Sequence, residues 1–185
     1  PPPMAHPNRR LARAVNVDAT AALVRAAAAL PSPPRFVQAS SMAVYGSRNP
    51  YRFTDLLTPE TPPLASELYG SHRLEAENIV RASGLEWSIL RLSGVITLDP
   101  LVDYGDFEWL YFGACVPEDN RCHAVDARDA AAAFSAAITT DAVREIFMIG
   151  GDDSHKALQR DVARSGMAAG GGGGHLFFGG PGGPH

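Results

Sequence analysis

The chain has 185 residues, of which 45% are apolar and 19% are charged, and its formal net charge is −4. This length is enough for a domain with its own core, and the composition is that of a globular protein. Because Lys and Arg are scattered, the sequence lacks the basic stripe that nucleic-acid binding needs, and no apolar run reaches the roughly 18 residues that span a bilayer.

Cysteine and histidine are sparse. Cys115 and Cys122 are too few for a disulfide framework, and the six histidines show no spacing of the kind that zinc ligands use. We therefore expect no metal site, no nucleic-acid partner and no membrane segment. Because no signal peptide beginning with Met is present, the cytoplasm is the expected compartment.

The first predicted elements are a helix and a short strand. Residues 9–30 are rich in alanine and place apolar side chains near helical spacing. The Pro-Ser-Pro-Pro run at 31–34 ends this helix. Residues 35–40, Arg-Phe-Val-Gln-Ala-Ser, are then predicted to form a buried strand.

A long loop and a second helix follow. Residues 41–66 are rich in Pro, Gly, Asn, Asp and Thr, and a loop of this length in a compact domain is usually functional. A helix is predicted from about Glu67 to Ala82. Ser66 is its expected N-cap, and Gly84 is placed to end it.

The remaining segments continue the alternation of helices and strands. The apolar run at 85–96 predicts one strand, and the mixed acidic and aromatic residues at 97–122 are compatible with a short helix. Residues 123–138 predict a short strand or turn and then a helix. A buried strand at 145–151 and a last helix at 154–166 complete the pattern.

Apolar strands separated by helices indicate an α/β fold with a parallel sheet and helices on both faces. Catalytic residues then belong outside the carboxyl ends of the strands. Two segments follow such ends, Ser40–Ser41 and Leu92–Gly94. We assign residues 9–165 to one partial domain and residues 166–185, which are rich in glycine, to a flexible tail.

Tyr69 and Arg73 are four residues apart on the second predicted helix and should share a face. A phenol is a weak base at neutral pH, and a nearby fixed positive charge favours its phenolate form. Such a tyrosine can take a proton from a substrate hydroxyl. A tyrosine beside an exposed arginine on a helix surface explains the same letters equally well, and the spacing alone does not separate the two interpretations.

Five short motifs occur in one order along the chain, from about residue 14 to about residue 165. They are Asn16-Val17-Asp18-Ala19-Thr20, Ser40-Ser41-Met42-Ala43-Val44-Tyr45-Gly46, Tyr69-Gly70 with Arg73 and Glu77, Leu90-Arg91-Leu92, and Val125-Asp126 followed by Asp129-Ala130. In this order and spacing the chain resembles the NAD-dependent epimerase/dehydratase family of the extended short-chain dehydrogenase/reductase superfamily. The resemblance implies a Rossmann-like doubly wound sheet, of which this chain carries the C-terminal half and a small, incomplete substrate-binding region.

The resemblance also implies roles for individual residues. Ser41 would hydrogen-bond the reacting oxygen of the substrate, Tyr69 would be the general acid/base, and Arg73 would support the tyrosine and hold the ribose of NAD or NADP. The implied cofactor-binding residues are Ser40, Tyr69, Arg73, Leu92 and Ser93. The implied substrate-binding residues are Asn16 and Ser41. From the residues alone, Asn16 could equally be a residue that kinks its helix, and Ser41 an ordinary hydroxyl in a turn after a strand.

Two departures from the family pattern stand out. The family has lysine where this chain has Arg73, and an arginine keeps the charge but not the geometry of an ammonium group. The glycine fingerprint, Gly-x-x-Gly-x-x-Gly, has no match, and the five glycines at 170–174 do not supply it. We expect the fingerprint to precede residue 1 by roughly 70 residues, at about 30 per strand–helix unit.

The implied activity is hydride transfer between a secondary alcohol or ketone carbon and a nicotinamide, on a small-molecule substrate such as a nucleotide sugar. A reductase of ketone or sterol-like substrates remains open, as does a non-catalytic family member that senses the cofactor or serves as a scaffold. An incomplete chain without activity of its own is a third interpretation. Family members often dimerise through the helix that here carries Tyr69, so the resemblance also implies a homodimer.

Overall fold

The computed structural model describes residues 8–48, 52–53, 55–97 and 123–152. These residues belong to two compact units. The first contains residues up to Ser93 together with Asp129–Ile149, and the second contains Gly94–Arg128 and the residues from Gly150 onwards. The predicted helix at 154–166, the glycine-rich tail, both cysteines and nearly all of the predicted segment 97–122 lie outside the described residues.

The described elements alternate as the sequence predicts. The helices are α1 Arg9–Arg13, α2 Ala19–Ala28, α3 Leu68–Arg81 and α4 Ala127–Thr139, with a π-helix at Ala14–Asp18 and a 3₁₀ helix at Met42–Tyr45. The strands are β1 Phe36–Ser41, β2 Trp87–Leu92, β3 Gly94–Ile96, β4 Ala124–Asp126 and β5 Glu145–Ile149. None of the helices in this part of the chain is long and apolar enough to cross a membrane.

The first helix is continuous but not regular. The side chain of Asn8 caps its start by accepting a hydrogen bond from the amide of Leu11, at 3.0 Å. Between α1 and α2 one π turn, Ala14–Asp18, widens the helix around Asn16. The prolines at 31–34 follow soon after α2 ends, as the sequence predicts.

The first unit contains a parallel sheet in the strand order β1-β2-β5. Phe36 pairs with Trp87 and Ser41 with Leu92, so the two strands are in register along their whole length. The core of this unit consists of Val24, Val80, Leu85, Trp87 and Ile89, contributed by α2, α3, the turn before β2 and β2 itself. The predicted α/β fold with parallel strands is confirmed, and it brings the residues after β1 and β2 to one edge of the sheet.

The predicted single strand at 85–96 was wrong, because it is two strands in different sheets. β2 ends at Leu92, and β3 begins at Gly94 and pairs in parallel with β4 in the second unit. The intervening Ser93 donates its amide hydrogen to the carbonyl of Ile149, at 2.9 Å. The apolar pattern runs through this break because Val95 and Ile96 are also strand residues.

The second helix begins one residue later than predicted, and its cap is different. Glu67 is the N-cap residue of α3 and makes no side-chain cap hydrogen bond. The predicted N-cap, Ser66, instead accepts a hydrogen bond from the amide of Ser47, at 3.0 Å. Gly84 has a φ of 76°, which is the conformation that the sequence assigned to a glycine just after this helix.

In the second unit, Asp126 connects β4 to α4. Its carboxylate accepts hydrogen bonds from the backbone amide of Arg128, at 2.8 Å, and from the guanidinium of the same residue. These hydrogen bonds lower the pKa of Asp126 to about 2. Asp126 of the Val125-Asp126 motif therefore has a local structural role at the start of α4.

Candidate active site

The end of β1 forms a tight turn that fixes Ser41. The hydroxyl oxygen of Ser41 accepts a hydrogen bond from the amide of Ala43, at 3.1 Å, and so caps the 3₁₀ helix Met42–Tyr45. Gly46 then takes a φ of 68°, with its α-carbon against the carbonyl of Leu64. A hydroxyl has one proton to donate besides its lone pairs. The cap orients the Ser41 oxygen and leaves that proton available.

Gly70 brings the start of α3 against the same turn. A β-carbon at this position would lie closer than 3.0 Å to the carbonyl oxygen of Ala43, so only glycine fits. Ala43 is two residues after Ser41, and Gly70 is next to Tyr69. The glycine in Tyr69-Gly70 thus sets a close approach between the helix that carries the tyrosine and the turn that carries the serine.

Tyr69 and Arg73 are neighbours on α3. The guanidinium carbon of Arg73 lies over the Tyr69 ring, 5.0 Å from its centroid. One guanidinium nitrogen, Nη1, also donates to the backbone carbonyl of Ala39 in β1, at 3.4 Å, while the buried Nε has no hydrogen-bond partner. The half-buried Tyr69 makes no hydrogen bond through its hydroxyl to any described residue. The predicted pair is therefore in contact.

Ser40 faces the interior rather than this pair. Its hydroxyl donates to Oε1 of Glu77, which is 0% exposed. Arg91 of β2, which is 1% exposed, donates to the same carboxylate through Nε at 3.0 Å and through Nη2 at 2.7 Å. A cofactor contact of Ser40 would therefore have to involve its backbone.

Tyr45 extends this buried cluster to the long loop. Its hydroxyl accepts a hydrogen bond from Nη1 of Arg91, at 2.7 Å, and donates one to the carbonyl of Thr58, at 2.9 Å. Nη1 of Arg91 also reaches the carbonyl of Pro59, at 3.4 Å. The loop before α3 is further held by a hydrogen bond from the amide of Leu64 to the carbonyl of Val44, at 3.0 Å.

The residues after β2 include a second free hydroxyl. Leu92 ends β2 and is half-buried. Ser93 is 8% exposed, and its hydroxyl oxygen has no hydrogen-bond partner. An unpaired buried hydroxyl is costly, so an unpaired one at the carboxyl edge of a parallel sheet is a place where a ligand's polar group would fit.

Asn16 lies inside the π turn and is 7% exposed. π turns within α-helices are often found at functional sites. The backbone carbonyl of Asn16 accepts a hydrogen bond from the hydroxyl of Thr20, at 3.4 Å. The sequence left open whether Asn16 disturbs its helix or contacts substrate; the residue does lie where the helix is irregular, and its contact with substrate stays a prediction.

Unpaired polar groups beside Tyr69 and after β2 fit the nicotinamide and ribose end of a dinucleotide. A ribose carries hydroxyls that need donors and acceptors, and Arg73 and Ser93 each offer a buried polar atom with no protein partner. The chain has no glycine fingerprint for the pyrophosphate, and no described glycine is at the start of a helix that follows a strand directly. The described part of the chain also has no cluster of three His, Cys, Asp or Glu side chains that could hold a metal ion.

A cavity of about 680 Å³ lies at the other end of the sheet. It is lined by the end of α3, the turn into β2, and Arg144. Ligands of α/β sheets bind outside the carboxyl ends of the strands, whereas this cavity is at the amino end of β2. We therefore place the candidate site at Ser41, Tyr69 and Arg73 rather than in this cavity.

A family model described as the RmlD substrate binding domain matches residues 4–99, which is just over half of the chain. The chain belongs to the RmlD substrate binding domain family. This match covers the first helix, β1, the long loop, α3 and β2. The resemblance to extended short-chain dehydrogenases/reductases is thereby confirmed. No curated protein sequence matches the chain.

Solved structures share the fold of this RmlD-family chain. A short-chain dehydrogenase/reductase superfamily protein from Agrobacterium tumefaciens with bound NAD is 26% identical, with a TM-score of 0.63 over 80% of this chain and 57% of that one. A UDP-glucuronic acid 4-epimerase from Bacillus cereus, in complex with UDP-glucuronic acid and NAD, is 17% identical, with a TM-score of 0.68 over 85% and 52%. A dTDP-glucose 4,6-dehydratase from Bacillus anthracis, in complex with NAD, is 24% identical, with a TM-score of 0.63 over 76% and 47%. The chain spans about half the length of these proteins.

Sequence reasoning missed the buried cluster of Ser40, Tyr45, Glu77 and Arg91. Glu and Arg are rarely buried, so single letters give no reason to pair them. The available signal was positional. Glu77 is two turns after Tyr69 on the same helix, and Arg91 interrupts an otherwise apolar strand. A charged residue in the middle of a buried strand predicts a buried partner.

Proposed function

We propose that this chain carries the catalytic residues of an NAD(P)-dependent epimerase, dehydratase or reductase of the extended short-chain dehydrogenase/reductase type. The observation that supports this most directly is the Tyr69–Arg73 contact beside the Ser41 turn, with the tyrosine hydroxyl left without a partner among the described residues.

Each residue has a chemical role in this proposal. Ser41, whose oxygen is oriented by the Ala43 amide, donates a hydrogen bond to the reacting oxygen of the substrate. Tyr69 takes the proton of the substrate hydroxyl or returns it, as a general acid/base. Arg73 supplies positive charge next to the phenol and hydrogen bonds to ribose hydroxyls. A bound nicotinamide supplies the hydride acceptor and donor.

Leu92, Ser93 and Asn16 complete the proposed site. Leu92 ends β2, Ser93 with its unpaired hydroxyl follows it, and both would lie beside the nicotinamide. Asn16 would contact substrate from the π turn of the first helix. Ser40 contributes to the interior through Glu77, and any contact with the cofactor is limited to its backbone.

Nucleotide sugars are the proposed substrate class. The similar structures from Bacillus include an enzyme solved with UDP-glucuronic acid and one that acts as a dTDP-glucose 4,6-dehydratase. These proteins are less than 25% identical to this chain, so the substrate class rests on fold similarity and on the sequence motifs around Ser41 and Tyr69. The proposed cofactor is NAD or NADP.

Binding of nicotinamide mononucleotide tests the proposal directly. The proposed cofactor residues would contact the nicotinamide and its ribose but not the pyrophosphate. Reduced nicotinamide mononucleotide and NADH should therefore bind this chain with affinities within about threefold of each other. Arg73→Gln should weaken both by about tenfold, and Arg73→Lys should not. Arg25→Gln, at an exposed α2 arginine with no ion pair to any described residue, is the matched control.

The result has two clear contrary outcomes. If neither nucleotide binds at millimolar concentration, or if Arg73→Gln and Arg25→Gln behave alike, the proposed cofactor residues are wrong. If NADH binds far more tightly than the mononucleotide, the chain also holds the adenosine half of the cofactor without a glycine fingerprint. Fluorescence of the reduced nicotinamide provides the measurement.

A non-catalytic role is the second candidate, and one contact favours it. Arg73 stands where the family has lysine, and one of its guanidinium nitrogens is engaged by the Ala39 carbonyl. In a scaffold or cofactor-sensing protein, this contact would serve only to join α3 to β1. Loss of the Tyr69 hydroxyl would then change neither binding nor any reaction.

A further inference from the structure

The buried cluster of Ser40, Tyr45, Glu77 and Arg91 connects every element that carries a candidate catalytic residue. Ser40 precedes Ser41 on β1, Glu77 follows Arg73 by one helical turn on α3, and Arg91 lies on β2 one residue before Leu92. Each of the four side chains is at least nine-tenths buried. None of the four has a role in the chemistry proposed above.

The cluster is fully satisfied, which makes its geometry specific. Glu77 Oε1 accepts from Ser40 and from Arg91 Nε, and Glu77 Oε2 accepts from Arg91 Nη2. The pairing is bidentate, and a bidentate arginine–carboxylate contact fixes both distance and orientation. A buried ion pair contributes little net stability compared with apolar residues, but it has a strong preference for one arrangement. The cluster therefore holds α3 in one register against β1 and β2.

Tyr45 joins the buried cluster to the loop before α3 by hydrogen bonds. Its hydroxyl is the only group in the described part of the chain that bonds both to the Arg91 guanidinium and to a loop carbonyl, that of Thr58. The Thr58 amide and carbonyl in turn bond to Thr61. The guanidinium also packs over the Tyr45 ring, 4.9 Å from its centroid. Removing this hydroxyl would loosen the loop at Thr58 without emptying the core, while the contacts of Pro59 and Leu64 with Arg91 and Val44 remain.

We propose that Ser40, Tyr45, Glu77 and Arg91 are positioning residues for the candidate active site. Glu77 and Arg91 set the place of the Tyr69 helix relative to the Ser41 turn. Tyr45 holds the 58–64 segment, which lies between Ser41 and Tyr69 in the sequence. This inference takes the identity of the site from the function proposed above, but its test uses no enzymatic activity, so that either proposal can fail without the other.

Two mild substitutions separate the two halves of the cluster. Tyr45→Phe removes the hydroxyl that reaches the loop, and Ser40→Ala removes the hydroxyl that reaches Glu77. Ser88→Ala is the matched control, because Ser88 is a fully buried β2 serine whose hydroxyl has no partner. Direct substitution of Glu77 or Arg91 would leave a buried charge unpaired and could unfold the chain.

Hydrogen exchange of backbone amides tests the loop. In Tyr45→Phe, the amides of Thr58, Glu60, Thr61 and Leu64, the residues of the 58–64 segment that are not proline, should exchange about tenfold faster, while those of α3 and β2 keep their protection. In Ser88→Ala, neither region should change. Unchanged exchange at 58–64, or an equal loss of protection across the loop, α3 and β2, would overturn the role of Tyr45.

Acetylation of the Tyr69 hydroxyl by N-acetylimidazole, followed by peptide mass spectrometry, tests the helix register. Ser40→Ala should change the acetylation rate of Tyr69 by a factor of about three or more, because Glu77 loses one of its contacts to β1. Ser88→Ala should leave the rate unchanged. If the two serine variants have the same rate as the unsubstituted chain, the buried cluster does not position Tyr69, whatever reaction the protein catalyses.

Discussion

At the scale of single residues, two tyrosines of this chain have opposite environments. The Tyr45 hydroxyl is buried and makes two hydrogen bonds, whereas the Tyr69 hydroxyl makes none to a described residue. Both rings lie beside an arginine, at 4.9 Å and 5.0 Å. A hydroxyl that pairs within the protein stabilises the fold, and one kept free is available to a ligand.

This difference predicts the effect of Tyr69→Phe. The free energy of unfolding should change by less than about 0.5 kcal/mol, since the hydroxyl makes no hydrogen bond to a described residue and the ring contact with Arg73 is kept. Turnover of UDP- or dTDP-sugars with supplied NAD should fall by a factor of roughly 10² to 10⁴, the usual contribution of a general acid/base. Urea denaturation and product formation are the two measurements. Equal turnover in both forms would favour the non-catalytic role.

At the scale of elements, the packing of α3 on the turn after β1 depends on Gly70. Gly→Ala in an exposed helix interior normally stabilises by up to about 1 kcal/mol. Here the added methyl group would collide with the Ala43 carbonyl, so the sign should reverse. We expect Gly70→Ala to destabilise by about 1–3 kcal/mol, as overpacking does. Ser71→Ala, at an exposed neighbouring position, should be close to neutral in the same urea titration, and a stabilising Gly70→Ala would contradict the close approach.

The sequence predicts elements better than the contacts between them. Helical spacing located the first helix and α3, and the strands at 36–41, 87–92 and 145–149 stand out as apolar runs. The division at Ser93 was not predictable, because the residues on both sides of it are strand formers in different sheets. The wrong N-cap has a similar cause. Ser66 has the right chemistry for a cap, but its hydroxyl is used by Ser47, 19 residues earlier.

At the scale of the whole molecule, the local relations within the candidate site were predictable from the sequence, and the contacts between distant elements were not. The motifs predicted that Tyr69 and Arg73 would be neighbours, since four residues along a helix is a local relation. The burial of Ser40 against Glu77 and Arg91 depends on three elements meeting, and the distances along the chain are 37 and 14 residues. The spacing of residues within one helix or strand does not predict contacts between elements that are distant in the sequence.

Acid should lower the free energy of unfolding through an ion pair between α1 and α3. Arg13 of α1 and Glu75 of α3 form a bidentate pair, with Nη1 and Oε2 2.7 Å apart. The hydrogen bond from Arg13 lowers the pKa of Glu75 below its usual value. A carboxylate whose folded-state pKa is lowered stabilises the fold above its unfolded-state pKa, near 4.3, and that stabilisation is lost as the pH falls through the folded-state value.

Glu75→Gln should therefore lower the melting temperature at pH 6 by a small amount, on the order of 1–2 °C, because the pair is exposed to solvent. The difference from the unsubstituted chain should shrink towards zero as the pH falls from the unfolded-state pKa through the lowered folded-state pKa of Glu75, below which the carboxyl group is neutral in both states. Salt at about 1 M should shrink it at pH 6 as well, since exposed charges are screened. Glu60→Gln, at an exposed carboxylate with no ion pair in the described ranges, is the control and should show no such trend. A Glu75→Gln effect that is independent of both pH and salt would mean that the Arg13 contact acts through packing rather than through charge.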